Sequence, residues 1–241
     1  MLATMWSYEA IAEIAAEALA ARAHATAGEQ AVRGLDSLVE LGFHPLLAAG
    51  FAEAGFGVHQ EQPYPTPPRR LPRHNERERC DIVLTERPGT LADAVVRDRE
   101  AARLAGTLFE EVALRTQPAE GSGGAASPSE ALWLEVKVVM QHGLSAGVLT
   151  SNKTYASELL RGPIADATKL ARDPLIVHAG VVVVLFTADE PTADHDLGVL
   201  AHRMLDRELP IAAPIRTRVR IPDLLGNAVC TIALVPVRGL G

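Results

Sequence analysis

Two stretches of this chain place charge inside what should be buried β-strand. They are Arg79-Cys80-Asp81-Ile82-Val83-Leu84 and Leu132-Trp133-Leu134-Glu135-Val136-Lys137-Val138-Val139. Glu135 and Lys137 are two residues apart, so on a strand both side chains project from one face. A carboxylate or an ammonium buried alone is very costly, and such groups are found inside when they are paired or bind a metal. Hard divalent cations such as Mg²⁺ take a few oxygen ligands and keep several waters. Asp81 and Glu135 supply such oxygens, with the carbonyl of Val136 as a third. A cation held there would polarise a phosphoryl oxygen and acidify a bound water. Lys137 would orient that water or stabilise charge developing on phosphorus. The chemistry these residues suit is hydrolysis.

The elements that must position them follow from periodicity. Ser7 to about His24 is Ala- and Glu-rich, with Ile11, Ile14 and Leu19 as apolar markers, which predicts a helix. Thr26-Ala27-Gly28-Glu29 has the form of a capping box. Val32, Leu35, Leu38 and Val39 then follow at helical spacing, predicting a second helix that Gly42 ends. Pro45 opens a third, running to about Ala54. A short strand from Val58 to Pro63 is closed by Pro63, Pro65, Pro67 and Pro68. Between the two charged strands come a helical stretch, Thr90 to about Leu114, and a Gly/Ser-rich tract ending at Ser129. Beyond Lys137 a helix is expected from about Asn152 to Arg172, interrupted at Gly162-Pro163. The continuous apolar run Val181 to Phe186 has the character of a central strand. A helix from Thr192 to about Leu209 and two closing strands around Leu225-Gly226-Asn227 complete an α/β reading. Residues 1–44 form a helical N-terminal extension packed on the core. Residues 45–241 form the α/β domain, with an insertion at about 87–130.

Helix, strand, strand with Asp, strand with Glu-x-Lys, helix, apolar strand: this order resembles the PD-(D/E)XK nuclease superfamily, over roughly residues 45 to 187. The resemblance implies a restriction-endonuclease-like mixed β-sheet core (α-β-β-β-α-β) flanked by helices, with a helical N-terminal extension and a C-terminal β-hairpin. It makes Asp81 and Glu135 the two motif acids and Lys137 the motif lysine, with Mg²⁺ as cofactor and Mn²⁺ as its alternative. Cys80 stands where the motif's proline would be. Some members add an acid from the helix before the first strand, a role open to Glu53, with Glu61 on the strand itself as the other option. The implied activity is hydrolysis of DNA phosphodiesters by an endonuclease of restriction, phage defence or repair. An RNA-cleaving member and a non-catalytic interaction module on the same fold are the alternatives. The N-terminal helices would serve homodimerisation or a partner protein.

The charge pattern bears on the substrate. Net charge is −7, against a protein that coats nucleic acid through its overall field, though not against a local basic groove. Arg69, Arg70, Arg73 and Arg77 cluster just ahead of Asp81 and are candidates for contact with a nucleic-acid backbone. Lys153 joins them at the start of the helix after the site. Arg216, Arg218 and Arg220 alternate along a closing strand, in a pattern that suits phosphates or a solvated outer face. Asp166 and Lys169, three apart on a helix, read as a surface pair. Lysine is confined to positions 137, 153 and 169. Elsewhere Arg carries the positive charge, which marks Lys137 in particular as a position where a compact ammonium matters. Eight histidines show no zinc-ligand spacing. Cys80 and Cys230 read as reduced structural thiols, the acidic N-terminus does not resemble a secretory signal, and no apolar run suffices to cross a bilayer. A cytoplasmic protein with no membrane partner is the expectation.

Overall fold

The computed structural model describes residues 6–28, 34–66, 78–92, 125–145, 147–222 and 224–239. Helix α1 (Tyr8–Gly28) leads through a 3-10 turn (Leu35–Ser37) into α2 (Glu40–Glu53). Strands β1 (Gly57–Pro63), β2 (Arg79–Thr85) and β3 (Leu132–Met140) follow, then a separate hairpin of β4 (His142–Ser145) and β5 (Val148–Ser151). Helix α3 (Tyr155–Arg172), strand β6 (His178–Thr187), helix α4 (Glu190–Leu205), and strands β7 (Ile215–Arg220) and β8 (Val229–Arg238) complete the chain. The six-stranded sheet has the order β1-β2-β3-β6-β8-β7. Only β3 and β6 run parallel, joined through α3; every other neighbouring pair is antiparallel.

Alternation along the central strands divides the core into two layers. Val182, Val184 and Phe186 of β6 pack with Leu132, Leu134 and Val136 against Ile11, Leu19, Phe43 and Leu47 of α1 and α2. Val181, Val183 and Leu185 pack with Trp133 and Val139 against Leu159, Ile164 and Leu170 of α3 and Leu197 and Leu200 of α4. The unbroken apolar run of β6 is thus the mark of a strand covered on both faces. On β3 the odd-numbered positions face α3, so Glu135 and Lys137 enter the α3 layer between Trp133 and Val139.

Three local expectations give way to tertiary structure. Thr26 is not an N-cap: it lies in the last turn of α1, where its hydroxyl donates to the Arg22 carbonyl. No helix ends at Gly42. Leu35–Ser37 is a 3-10 turn and α2 starts at Glu40, running through Gly42 and Pro45. The bond Pro45 cannot donate would go to Leu41, an exposed residue of the first turn, where water can replace it. Likewise α3 continues through Gly162-Pro163. Gly162 is there for space, since a Cβ would come within 3.2 Å of Lys137 Cδ. The expected helix at 90–114 lies mostly outside the described residues. No helix among the described residues is long and apolar enough to cross a membrane.

Phe186 is fully buried and its ring lies 5.9 Å from that of Phe43, tying α2 to the central strand. Phe186→Ala is expected to lower unfolding free energy by about 3–5 kcal/mol, read as a fall in the urea midpoint. A loss below about 1 kcal/mol would show that the two rings do not hold α2 in place.

Candidate functional site

The site begins where two strands part. β2 pairs with β3 only through Ile82, Val83 and Leu84 against Leu134, Trp133 and Leu132. Beyond Leu134 no strand among the described residues covers that edge of β3, and its outward N–H groups need other acceptors. Two carboxylates supply them. Asp81 Oδ2 accepts from the Val136 N–H at 2.7 Å, and Glu40 Oε2 from the Val138 N–H at 3.3 Å. Asp81 comes from β2 itself, Glu40 from the first residue of α2.

The other oxygen of Glu40 extends the site inward. Glu40 Oε1 lies 3.0 Å from Lys137 Nζ, and Lys137 Nζ lies 3.5 Å from Asp166 Oδ2 on α3. Asp166 Oδ1 binds Lys169 Nζ at 2.7 Å, and Lys169 reaches Glu135 Oε1 at 3.4 Å. The Tyr64 hydroxyl, on the segment after β1, donates to the same Glu135 oxygen at 2.5 Å, while its ring stacks on Trp133. Acid and ammonium therefore alternate from Glu40 to Glu135, crossing from α2 through β3 to α3. Glu135 and Lys137 do not pair with each other. Asp166 and Lys169 do pair as their spacing suggests, but Asp166 is buried and both belong to the site rather than to a solvated helix surface.

Burial sets the electrostatics. Desolvation, reinforced by the nearby Asp81 and Asp166 carboxylates, pushes the Glu135 carboxyl up to about 8, against the opposing help of Tyr64 and Lys169. Burial alone would lower the Lys137 ammonium, but Asp166 and Glu40 outweigh it and the net displacement is upward. Lys169 is raised in the same way, with Asp166 and Glu135 overcoming desolvation. Tyr64 is raised by its burial and by the neighbouring Cys80 and Glu135. Both lysines are thus fixed as cations. Glu135 is the group poised near neutral pH.

A second cluster shares Asp81. One ligand atom each from His44, Glu61 and Asp81 lie within 4.8 Å of one another, a set able to hold a metal ion. His44 is one helical turn beyond Glu40 on α2, and its Nδ1 is 3.9 Å from Glu61 Oε1. Glu61 lies across from Asp81, at the one position where the β1–β2 ladder lapses. Its φ of +54° is left-handed, a strained choice for a residue with a side chain.

Of the residues expected from sequence, Asp81, Glu135, Val136 and Lys137 are brought together. Glu53 is exposed at the far end of α2, roughly 20 Å along the helix from Glu40 at 1.5 Å per residue. Arg69, Arg70, Arg73 and Arg77 lie outside the described residues. Lys153 is exposed in the turn before α3. Arg216 and Arg218 are engaged with Asp194 of α4. Glu40, His44, Tyr64, Asp166 and Lys169 are additions. A Glu-x-x-x-His spacing and two of the three lysines were the available signals.

Glu135 binds its proton more tightly in the folded chain than in the unfolded one. Its contribution to stability is full below the unfolded value of about 4.5 and is lost as pH rises through about 8. Without divalent cation, Glu135→Gln should flatten the fall in unfolding free energy between pH 5 and 8, where one such group contributes about 1.4 kcal/mol per pH unit. Parallel curves for the two proteins, in urea titrations across that range, would refute the assignment. Against known proteins, the chain matches no family model, no curated protein and no solved structure.

Proposed function

We propose that this chain is a divalent-cation-dependent nuclease that hydrolyses DNA phosphodiester bonds, built on the PD-(D/E)XK plan its motif order resembles. The observation that carries the reading is a charge imbalance around Asp81. Among the described residues, Glu40, Asp81, Glu135 and Asp166 face Lys137 and Lys169 alone, leaving two negative charges in excess when all are ionised, with Glu61 and His44 beside them. Such an excess in a half-buried site is costly unless a cation balances it. In support, α2, three antiparallel strands, α3 and a strand parallel to β3 follow in the order on which the resemblance rests, with the β4–β5 hairpin between β3 and α3.

Donor chemistry indicates the ion. Asp81, Glu61 and His44 would hold it, with Glu135 and the Val136 carbonyl as the further oxygens of the motif. An imidazole in the set favours Mn²⁺ over Mg²⁺, whose sites are made of oxygen. When bound, the cation supplies Lewis acidity to a phosphoryl oxygen and acidifies a water. The chain's own groups do the rest. Lys137 and Lys169, fixed as ammonium ions, present positive charge to the phosphoryl oxygens as negative charge builds there. The upward displacement of Lys137 makes it a charge stabiliser rather than a base. Glu135, oriented by Tyr64 and Lys169, would offer its carboxylate to the ion.

The test is a panel of single- and double-stranded DNA and RNA incubated with Mn²⁺ or Mg²⁺. Wild type should cut DNA, faster with Mn²⁺. Asp81→Asn keeps the acceptor for Val136 but loses the charge, and should lose activity by about 10²–10³-fold or more, with an unchanged circular dichroism spectrum. His44→Ala should narrow the gap between the two metals. Absence of cleavage by wild type in every arm would sink the proposal.

A further inference from the structure

A groove of about 1240 Å³ runs from the candidate site to the β4–β5 hairpin. It exceeds the roughly 300–1,000 Å³ typical of small-molecule pockets. Lys137 and Glu40 line it at the site, so a ligand that fills it continues into the reacting centre. Its remaining walls differ in character. From α3 and the turn before it come Lys153, Ser157, Glu158 and Arg161, polar and carrying two cations to one acid. From the start of α2, the hairpin and the loop before β8 come Val39, Leu144 and Leu225, which are apolar.

Two features show that these walls lack their partner. Neither Lys153 nor Arg161 is in an ion pair with any described residue. The acids nearby are already engaged: Glu40 with Lys137, and Glu158 as acceptor for Asn152 and Thr154. The apolar side is equally uncovered. Val39 and Leu144, which line it, are both exposed, at 73% and 48%. Leu144 lies on β4, which among the described residues pairs with β5 alone.

We infer that the groove seats a single-stranded segment of polynucleotide, with phosphates on Lys153 and Arg161 and unstacked bases against Val39 and Leu144. A single strand presents both charge and apolar base faces along one length, and proteins that hold one combine a cationic track with surfaces for the bases. A duplex offers phosphates outside and keeps its base faces stacked within, so the apolar wall would have no counterpart. This rests on the nuclease reading in taking the ligand to be a polynucleotide, and it adds which strand state reaches the site.

The experiment measures fluorescence anisotropy of a labelled 12-nucleotide DNA strand, alone and annealed to its complement, in Ca²⁺ without turnover. The variant is Lys153→Glu with Arg161→Glu. The matched control is Arg203→Glu with Arg207→Glu, on and just beyond α4. The groove variant should lose single-strand affinity by about tenfold or more, and its salt slope should fall by about 1.4, the value for two phosphate contacts on a single strand. The control should bind as wild type. Unchanged binding by the groove variant, an equal loss in the control, or tighter binding of duplex than of single strand would overturn the inference. Hydrolysis of bis(4-nitrophenyl) phosphate with Mn²⁺ separates the two proposals, because that diester has no strand to fill the groove. Hydrolysis retained with groove-independent binding removes the groove and keeps the nuclease. No hydrolysis with groove-dependent binding does the reverse.

Discussion

The open edge of β3 is the constraint from which the rest follows. β2 leaves its partner after three residue pairs, while β3 continues for six more along β6. A strand edge stripped of its neighbour exposes N–H groups that must be satisfied. Backbone carbonyls from another strand would be the ordinary answer. This protein uses carboxylates instead, Asp81 for Val136 and Glu40 for Val138. Charge-assisted bonds of this kind are stronger than neutral ones, and they bring two acids from different elements to one line. The start of α2 is thereby fixed beside the sheet, and His44 is carried in with Glu40.

Acids gathered for a backbone reason then require cations. β3 points Glu135 and Lys137 toward α3, and α3 answers with Asp166 and Lys169. Asp166 is the shared member, touching both ammonium groups while itself buried. Among the described residues the acids still outnumber the cations. Burial, with the Asp81 and Asp166 carboxylates nearby, holds the Glu135 proton beyond the usual carboxylate range. A fold selected for stability alone would replace such a group by an apolar one at no loss. Asp81 belongs also to the cluster with His44 and Glu61, whose ligand atoms lie within 4.8 Å of one another.

Much of this was legible in the sequence, and the limits are instructive. The strands around Asp81, Glu135 and Val181 were plain because burial on both faces leaves charge nowhere to hide except at a site. Asp166 and Lys169 were recognisable as a pair, but periodicity does not say which helix face meets the sheet at its charged positions. Glu40 and His44 were obscured because the expected helix boundary fell at Gly42, and α2 in fact starts earlier. A glycine stops a helix only where tertiary contacts do not carry it through, and Phe43 and Leu47 supply those contacts. The β4–β5 hairpin left no signal because it buries little: its strands are short and mostly exposed.

The scarcity of lysine gains a physical meaning from these positions. Lys137 spans Glu40 and Asp166, and Lys169 spans Asp166 and Glu135. An ammonium is a compact point charge with three rotatable donors, so it can bind two carboxylates lying in different directions. A guanidinium is flat and directs its donors in one plane, matching a single carboxylate side by side. Arg at 137 would also need more room where the lysine stem already runs against Gly162. The two half-buried bridging cations are lysines because the junctions they occupy are three-dimensional.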